Sequence, residues 1–214
     1  MSITNLTRKV LPQFSSKAAD NLAAMNKMPE FRLQNAINAG DKSIVHVGMN
    51  EAAAAKITPD GINTIYTDAL ATCNAVAVIA RAKDGYPVAV LSHYTSLPLS
   101  VSEQVKALEK HIKGYEPALD TNTAPKVFFN IRGYSTTQNP DELIFGSAQI
   151  LNCVRRMLGK FFPKGIDEKV VLYKNNKRPA YFSSANIYQF DTADTNKLKV
   201  TTVGENEHFI DLKF

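Results

Sequence analysis

The feature that most constrains the fold is a pair of apolar runs that flank a short polar turn. The runs are "NAVAVIA" at residues 74–80 and "PVAVLSHY" at residues 87–94, and both have the length of a strand. An Asp-Gly pair, Asp84 and Gly85, lies between them and is typical of a hairpin turn. Because neither run alternates with polar residues, both strands are predicted to be buried on both faces. The sequence therefore predicts an antiparallel hairpin in the interior of the protein.

Further strands and two helices are predicted around this hairpin. Apolar and β-branched runs predict strands at residues 43–55, 62–67, 126–134, 169–174, 183–190, 197–203 and 207–214. Apolar spacings of three and four predict helices at residues 100–115 and 140–162. Strands and helices do not alternate strictly, which argues against a doubly wound parallel sheet. The predicted fold class is an α+β sandwich.

The first 43 residues differ in pattern from the rest of the chain. They contain two amphipathic helical segments, "SSKAADNLAAMNKM" at residues 15–28 and "EFRLQNAINAGD" at residues 30–41. Gly40 is the predicted C-cap of the second segment. We therefore predict a helical N-terminal extension at residues 1–43 and a main domain at residues 44–214.

Composition excludes several classes of function. The 25 Lys and Arg residues exceed the 20 Asp and Glu residues, but they are scattered and carry no recognition motif, so we expect no nucleic-acid binding. No run approaches the roughly 18 apolar residues that cross a bilayer, and the N-terminus lacks the pattern of a secretory signal. The two cysteines, Cys73 and Cys153, form no disulfide framework, and no Cys or His pair has zinc-ligand spacing. We expect a reduced thiol and no bound metal.

Cys73 and His93 stand at the two outer ends of the predicted hairpin. Arms of nearly equal length would place the two side chains opposite each other, within reach of a thiol–imidazole hydrogen bond. A thiolate is the nucleophile of covalent catalysis, and a nearby histidine activates it. A third group must orient the imidazole, and either Thr67 or Asp68 is close enough in sequence to supply an oxygen.

A structural role for Cys73 is the alternative, because a cysteine beside an apolar strand is often a buried packing residue. Cys153 lies on the apolar face of the helix predicted at residues 140–162, so it is predicted to belong to the core. His46 and His111 are predicted to be surface residues or residues with a structural hydrogen bond.

The segment that contains Thr67, Cys73 and His93, residues 47–98, resembles the opening of the CheD family of chemoreceptor glutamine deamidases. That family starts with V-G-x-x-E, continues through a Lys and a Pro-containing turn, and then has T-x5-C, a hairpin and a histidine. The positions that match in order are Val47, Gly48, Glu51, Lys56, Pro59, Thr67, Cys73 and His93. The looser likeness covers residues 44–214. The same Thr, Cys and His set resembles that of the deamidase toxins related to cytotoxic necrotizing factor and Burkholderia lethal factor.

The resemblance implies a layered α/β/β/α sandwich with mixed sheets and a catalytic set of Cys73, His93 and Thr67. The implied activity is conversion of a glutamine side chain of a target protein to glutamate, with release of ammonia through a cysteine thioester. No cofactor is implied, the partner is the protein that carries the glutamine, and we expect a monomer. The chain would be made in the bacterial cytoplasm and act there on chemoreceptors, or be exported without a classical signal peptide as an effector or toxin.

Two other functions fit the same residues. A Cys/His transglutaminase or thiol protease shares the acyl-enzyme and differs in the group that accepts the acyl chain. A non-catalytic binding module would keep the fold without the chemistry. The chain also departs from the resembled family before the nucleophile, where "DALATC" replaces a glycine-rich approach, so we expect the oxyanion site to be built differently.

Overall fold

The computed structural model describes residues 27–70, 73–95, 101–132, 145–173, 184–202 and 206–214. The chain divides into two compact units between Asp41 and Lys42. In the first unit, helix α1 spans Pro29–Asn38 and begins with Pro in its first turn, where a missing N–H costs nothing. Gly40, at φ 93°, ends this segment as predicted, since glycine adopts the left-handed region without steric cost. The predicted helix at residues 15–28 lies almost wholly outside the described residues.

The described residues of the second unit form two five-stranded sheets, with two helices. The strands are β1 Ile44–His46, β2 Ala52–Lys56, β3 Thr64–Leu70, β4 Cys73–Arg81, β5 Pro87–Thr95, β6 Lys126–Arg132, β7 Asp167–Tyr173, β8 Ser184–Phe190, β9 Lys197–Thr202 and β10 Asn206–Asp211. Sheet 1 has the order β1-β3-β8-β9-β10 and sheet 2 the order β2-β5-β4-β6-β7. Each sheet contains one parallel pair, β1 with β3 and β6 with β7, so both are mixed. The helices are α2 Val101–Tyr115 and α3 Phe145–Phe161.

The predicted hairpin is β4 and β5, at the centre of sheet 2, and it is buried on both faces as expected. Alternate side chains of β4 belong to two different cores. Val76 and Val78 pack with the apolar faces of α2 and α3, whereas Ala75 and Ala77 pack against sheet 1. The α+β sandwich predicted from the sequence is therefore confirmed, with sheet 2 held between sheet 1 and a helical layer.

One predicted strand is broken in the structure. Residues 43–55 form β1 of sheet 1 and β2 of sheet 2, and residues 47–51 cross from one sheet to the other. We call residues 47–51 the crossover turn. The Gly48 N–H donates to the Glu51 carboxylate at 3.0 Å, and Asn50 takes a left-handed conformation with φ 62°. Asn is one of the few residues other than glycine that accept this conformation readily.

In the part of the chain that the structure describes, none of the helices combines the length and the apolar character needed to cross a bilayer.

Candidate active site

The three residues predicted to act together all lie at the interface between the two sheets. Thr67 is on β3 of sheet 1, and Cys73 and His93 are on β4 and β5 of sheet 2. Their relative exposures are 0% for Thr67, 4% for Cys73 and 1% for His93. The structure therefore brings residues from separate sheets into one buried cluster.

The predicted pairing of Cys73 directly opposite His93 is wrong by two residues. Arg81 pairs with Pro87 at the closed end of the hairpin, and this register places Cys73 opposite Thr95 and His93 opposite Ala75. Cys73 and His93 are diagonal neighbours on the same face of sheet 2, because residues two apart on a strand share a face. Diagonal neighbours lie about 7–8 Å apart at Cα and somewhat closer at Cβ. A pair of Cys73 with His93 would centre the turn on Lys83, whereas the observed pair of Arg81 with Pro87 centres it on Asp84.

The His93 imidazole is oriented by Thr67. Thr67 Oγ1 lies 2.8 Å from His93 Nδ1 and 2.7 Å from the Val47 carbonyl oxygen. The carbonyl only accepts, so the single hydroxyl proton of Thr67 is donated to Val47. Thr67 Oγ1 must then accept from His93, which places a proton on Nδ1. Of the two oxygens considered from the sequence, Thr67 is therefore the one that contacts the ring.

His93 is held in its neutral form. Burial is the main reason that the pKa of His93 is lowered from 6.5 to about 4; the Asp68 carboxylate opposes this shift, and the nearby His46 contributes to it. With the proton on Nδ1, Nε2 carries the lone pair and is the basic atom. Nε2 is buried and has no hydrogen-bond partner among the described residues. The ring is thus arranged to accept a proton at Nε2.

The crossover turn fixes the backbone of His93. The Asn50 N–H donates to the His93 carbonyl at 2.9 Å, and the His93 N–H donates to the Glu51 carbonyl at 3.0 Å. Val47, in the same turn, accepts the Thr67 hydroxyl. The "VGMNE" segment therefore positions both the imidazole and the hydroxyl that orients it.

Asp68 contacts a different histidine. His46 Nε2 lies 3.1 Å from Asp68 Oδ1, and the His46 ring packs against Tyr66 with 4.8 Å between centroids. The hydrogen bond to His46 lowers the pKa of the Asp68 carboxyl, against the opposing effect of partial burial. His46 is exposed and has a structural partner, as predicted.

Cys153 lies on α3, half-buried against the core shared by sheet 2 and the helices, as predicted. Neither cysteine forms a disulfide. Among the described residues, no group of three His, Cys, Asp or Glu side chains is arranged to hold a metal ion. Two residues of the glycine-poor approach to Cys73, Ala71 and Thr72, lie outside the described residues. Just before them, the pairing of β3 with β8 is irregular between Thr67 and Leu70.

Two asparagines of the site were missed from the sequence. Asn130 on β6 is the register partner of Ala75, and Asn186 on β8 is the register partner of Thr67. Their relative exposures are 1% and 0%. The available signal was an asparagine within the apolar part of a strand, in "VFFNI" of β6 and "ANIY" of β8. A buried amide at a core position is costly unless its polar atoms have partners, so it indicates a specific role.

Among the comparisons with known proteins, only the search of solved structures finds a likeness. No family model matches the sequence, and no curated protein matches it. Among solved structures, the chain is similar to the C-terminal domain of CNFy from Yersinia pseudotuberculosis, with 13% identity and a TM-score of 0.35. The match covers 78% of this chain and 62% of the other, so the chain spans less than two thirds of that domain.

Proposed function

We propose that the chain is a cysteine-dependent protein-glutamine deamidase, with Cys73 as nucleophile, His93 as acid and base, and Thr67 as the residue that orients the imidazole. The observation that carries the proposal is the state of His93. Its Nδ1–H donates to Thr67 Oγ1, whereas the basic Nε2 has no hydrogen-bond partner among the described residues. His93 and Cys73 lie on the same face of sheet 2. A neutral imidazole in this arrangement serves as a general base for a thiol.

The proposed reaction begins when Nε2 of His93 takes the Cys73 thiol proton. The thiolate then attacks the carbon of a glutamine carboxamide, and the tetrahedral intermediate collapses as His93 returns the proton to the departing nitrogen. Ammonia leaves and a thioester joins the substrate to Cys73. His93 next takes a proton from water, whose oxygen attacks the thioester carbon, and the thiol is regenerated. The sum is one water consumed, one ammonia released, and glutamine converted to glutamate.

Burial suits this sequence of steps. A low pKa keeps His93 unprotonated and able to accept at neutral pH, and the same burial makes the imidazolium a strong acid once it forms. A strong acid transfers its proton readily to the leaving nitrogen. Thr67 keeps Nε2, rather than Nδ1, as the atom that exchanges protons.

We further propose that residues 44–214 are the catalytic domain and residues 1–43 an extension to it. The substrate is a protein that presents a glutamine on an accessible segment. The chain acts either on chemoreceptors in the bacterial cytoplasm or, after export, as an effector on a protein of another cell.

The test is mass spectrometry of a cell extract after exposure to the wild type, Cys73→Ser or Cys153→Ser. Glutamine-to-glutamate conversion with release of ammonia is expected for the wild type and for Cys153→Ser, and is expected to be absent for Cys73→Ser. An added primary amine separates the alternatives, because its incorporation marks a transglutaminase and backbone cleavage marks a protease. Equal conversion by Cys73→Ser and the wild type would refute the assignment.

A further inference from the structure

A second group of buried polar side chains lies beside the proposed catalytic set. In sheet 2, His93, Ala75 and Asn130 form one row across β5, β4 and β6. In sheet 1, Thr67 and Asn186 are neighbours on β3 and β8. The two rows meet across the interface, because Thr67 contacts His93 and Asn130 contacts Tyr188, two residues from Asn186 on the same face.

Each asparagine has one amide end bonded and the other end without a partner. Asn130 donates from Nδ2 to the Tyr188 hydroxyl at 2.8 Å, and its Oδ1 is unpartnered. Asn186 accepts at Oδ1 from the Thr202 hydroxyl at 3.1 Å, and its Nδ2 is unpartnered. A buried polar atom with no hydrogen bond costs about 1–3 kcal/mol, so two such atoms in one cluster indicate a ligand that satisfies them.

The unpartnered atoms have complementary chemistry. Asn130 offers an acceptor and Asn186 offers a donor, and a primary carboxamide has one of each to match: an NH2 group that donates and a carbonyl oxygen that accepts. Ala75, which has the smallest side chain of the row, lies between His93 and Asn130. Cys73 stands two residues from Ala75 on the same face.

We propose that Asn130 and Asn186 form a carboxamide-binding site beside Cys73, in which Asn186 Nδ2 donates to the carbonyl oxygen of the substrate amide and Asn130 Oδ1 accepts from its NH2 group. The proposal rests on the proposed deamidase function and adds the residues that recognise the reacting group. A carboxylate in the same place would set an oxygen against Asn130 Oδ1, and two acceptors repel each other. The site therefore favours the amide substrate and disfavours the acid product.

The two reagents iodoacetamide and iodoacetate test this recognition without any known substrate. Both alkylate a thiol at the same kind of carbon, but one carries a carboxamide and the other a carboxylate. The experiment uses the Cys153→Ser variant, so that Cys73 is the thiol whose alkylation is measured. The reference thiol is N-acetylcysteine amide in solution. The ratio of the iodoacetamide rate to the iodoacetate rate at Cys73 is expected to exceed the reference ratio about tenfold, as the gain or loss of one buried hydrogen bond implies. A ratio equal to the reference would overturn the proposal.

Three variants separate recognition from packing. Asn130→Leu and Asn186→Leu keep similar volume and remove the amide, so each is expected to bring the ratio back toward the reference. Tyr188→Phe removes the hydroxyl partner of Asn130 while leaving both amides, so it is expected to keep the ratio even if it lowers stability. Loss of selectivity in Tyr188→Phe as large as in the Leu variants would contradict a recognition role. If the Leu variants do not fold, a wild-type ratio equal to the reference still overturns the proposal.

The outcomes distinguish this inference from the proposed function. If Cys73 is alkylated readily but shows no preference for iodoacetamide, the carboxamide site is refuted and the proposed deamidase function stands. If Cys73 prefers iodoacetamide but the protein converts no glutamine, the carboxamide site is supported and the proposed deamidase function is refuted. If Cys73 reacts with neither reagent in the folded protein, both the carboxamide site and the proposed deamidase function are refuted.

Discussion

The imidazole of His93 has two nitrogens in opposite situations, and the difference comes from one threonine hydroxyl. Thr67 donates its only proton to the Val47 carbonyl, so it accepts from Nδ1 and the lone pair of the ring is left on Nε2. Valine at position 67 would have nearly the same shape as threonine but no oxygen. The chemical role of this hydroxyl is therefore separable from its packing.

We predict that Thr67→Val lowers kcat/KM for glutamine deamidation by about ten- to a hundredfold, because the buried Nδ1–H loses its acceptor at a cost of roughly 1–3 kcal/mol. Thr67→Ser restores the oxygen and is expected to recover most of the rate. Steady-state kinetics of both variants on a common substrate provide the measurement. A Thr67→Val enzyme as active as Thr67→Ser would show that the hydroxyl does not orient the ring.

At the scale of residues, the sequence predicts Cys73, His93 and Thr67 as a catalytic set, and this set stays a prediction; it gives no comparable indication of Asn130 or Asn186. The first three stand in a recognisable order and spacing within residues 67–93. Asn130 and Asn186 come from distant strands, and only the pairing of β6 with β4 and of β8 with β3 brings them to the site. That pairing depends on the tertiary fold, which no local pattern records.

At the scale of elements, the crossover turn connects the sheets and also supports the site. Asn50 is its fourth residue, with φ 62°. Its N–H donates to the His93 carbonyl, and its side-chain oxygen accepts from the Thr95 N–H at 3.3 Å and from Gln104 at 3.1 Å. The conformation of this one residue therefore sets the distance between the turn and the end of β5.

We predict that Asn50→Val is less stable than Asn50→Gly by about 1–2 kcal/mol, since a β-branched residue is strained in the left-handed region and glycine is not. Both substitutions remove the side-chain oxygen, so the difference between them reports the backbone alone. Denaturant unfolding of the two variants gives the comparison. Equal free energies of unfolding would mean that the turn does not hold its left-handed conformation in solution.

The elements themselves were largely predictable, and the errors have local causes. The buried hairpin, α2 and α3 follow from apolar runs and helical spacing, which are properties of contiguous sequence. The break between β1 and β2 was missed because "SIVHVGMNEAAAA" keeps a strand-like composition through the turn, while Gly48 and Asn50 carry the only bend signals. The hairpin register was missed because a five-residue connection, 82–86, admits more than one centre.

At the scale of the whole molecule, a buried neutral histidine couples stability to pH. The pKa of His93 is lowered from 6.5 to about 4, so below pH 6.5 the unfolded chain binds a proton that the folded chain does not. Protons therefore favour the unfolded state as the pH falls from about 6.5 to about 4. Below that window His93 is protonated in both states, and the penalty stops growing.

We predict that the free energy of unfolding of the wild type falls, relative to that of His93→Gln, by about 3 kcal/mol between pH 7 and pH 4. Glutamine keeps a polar side chain but does not titrate, so the carboxylates shared by both proteins largely cancel. Urea unfolding followed by circular dichroism across this range is the measurement. Parallel pH curves for the two proteins would show that the folded state does not disfavour the charged ring.

Thr67 comes from one sheet, and Cys73 and His93 come from the other. The proposed catalytic set therefore exists only while the two sheets are docked. A chain whose strands have all formed but whose sheets have separated would lack the contact between Thr67 and His93. Under the proposed function, activity is therefore a reporter of sheet docking, distinct from circular dichroism, which reports the formation of the strands.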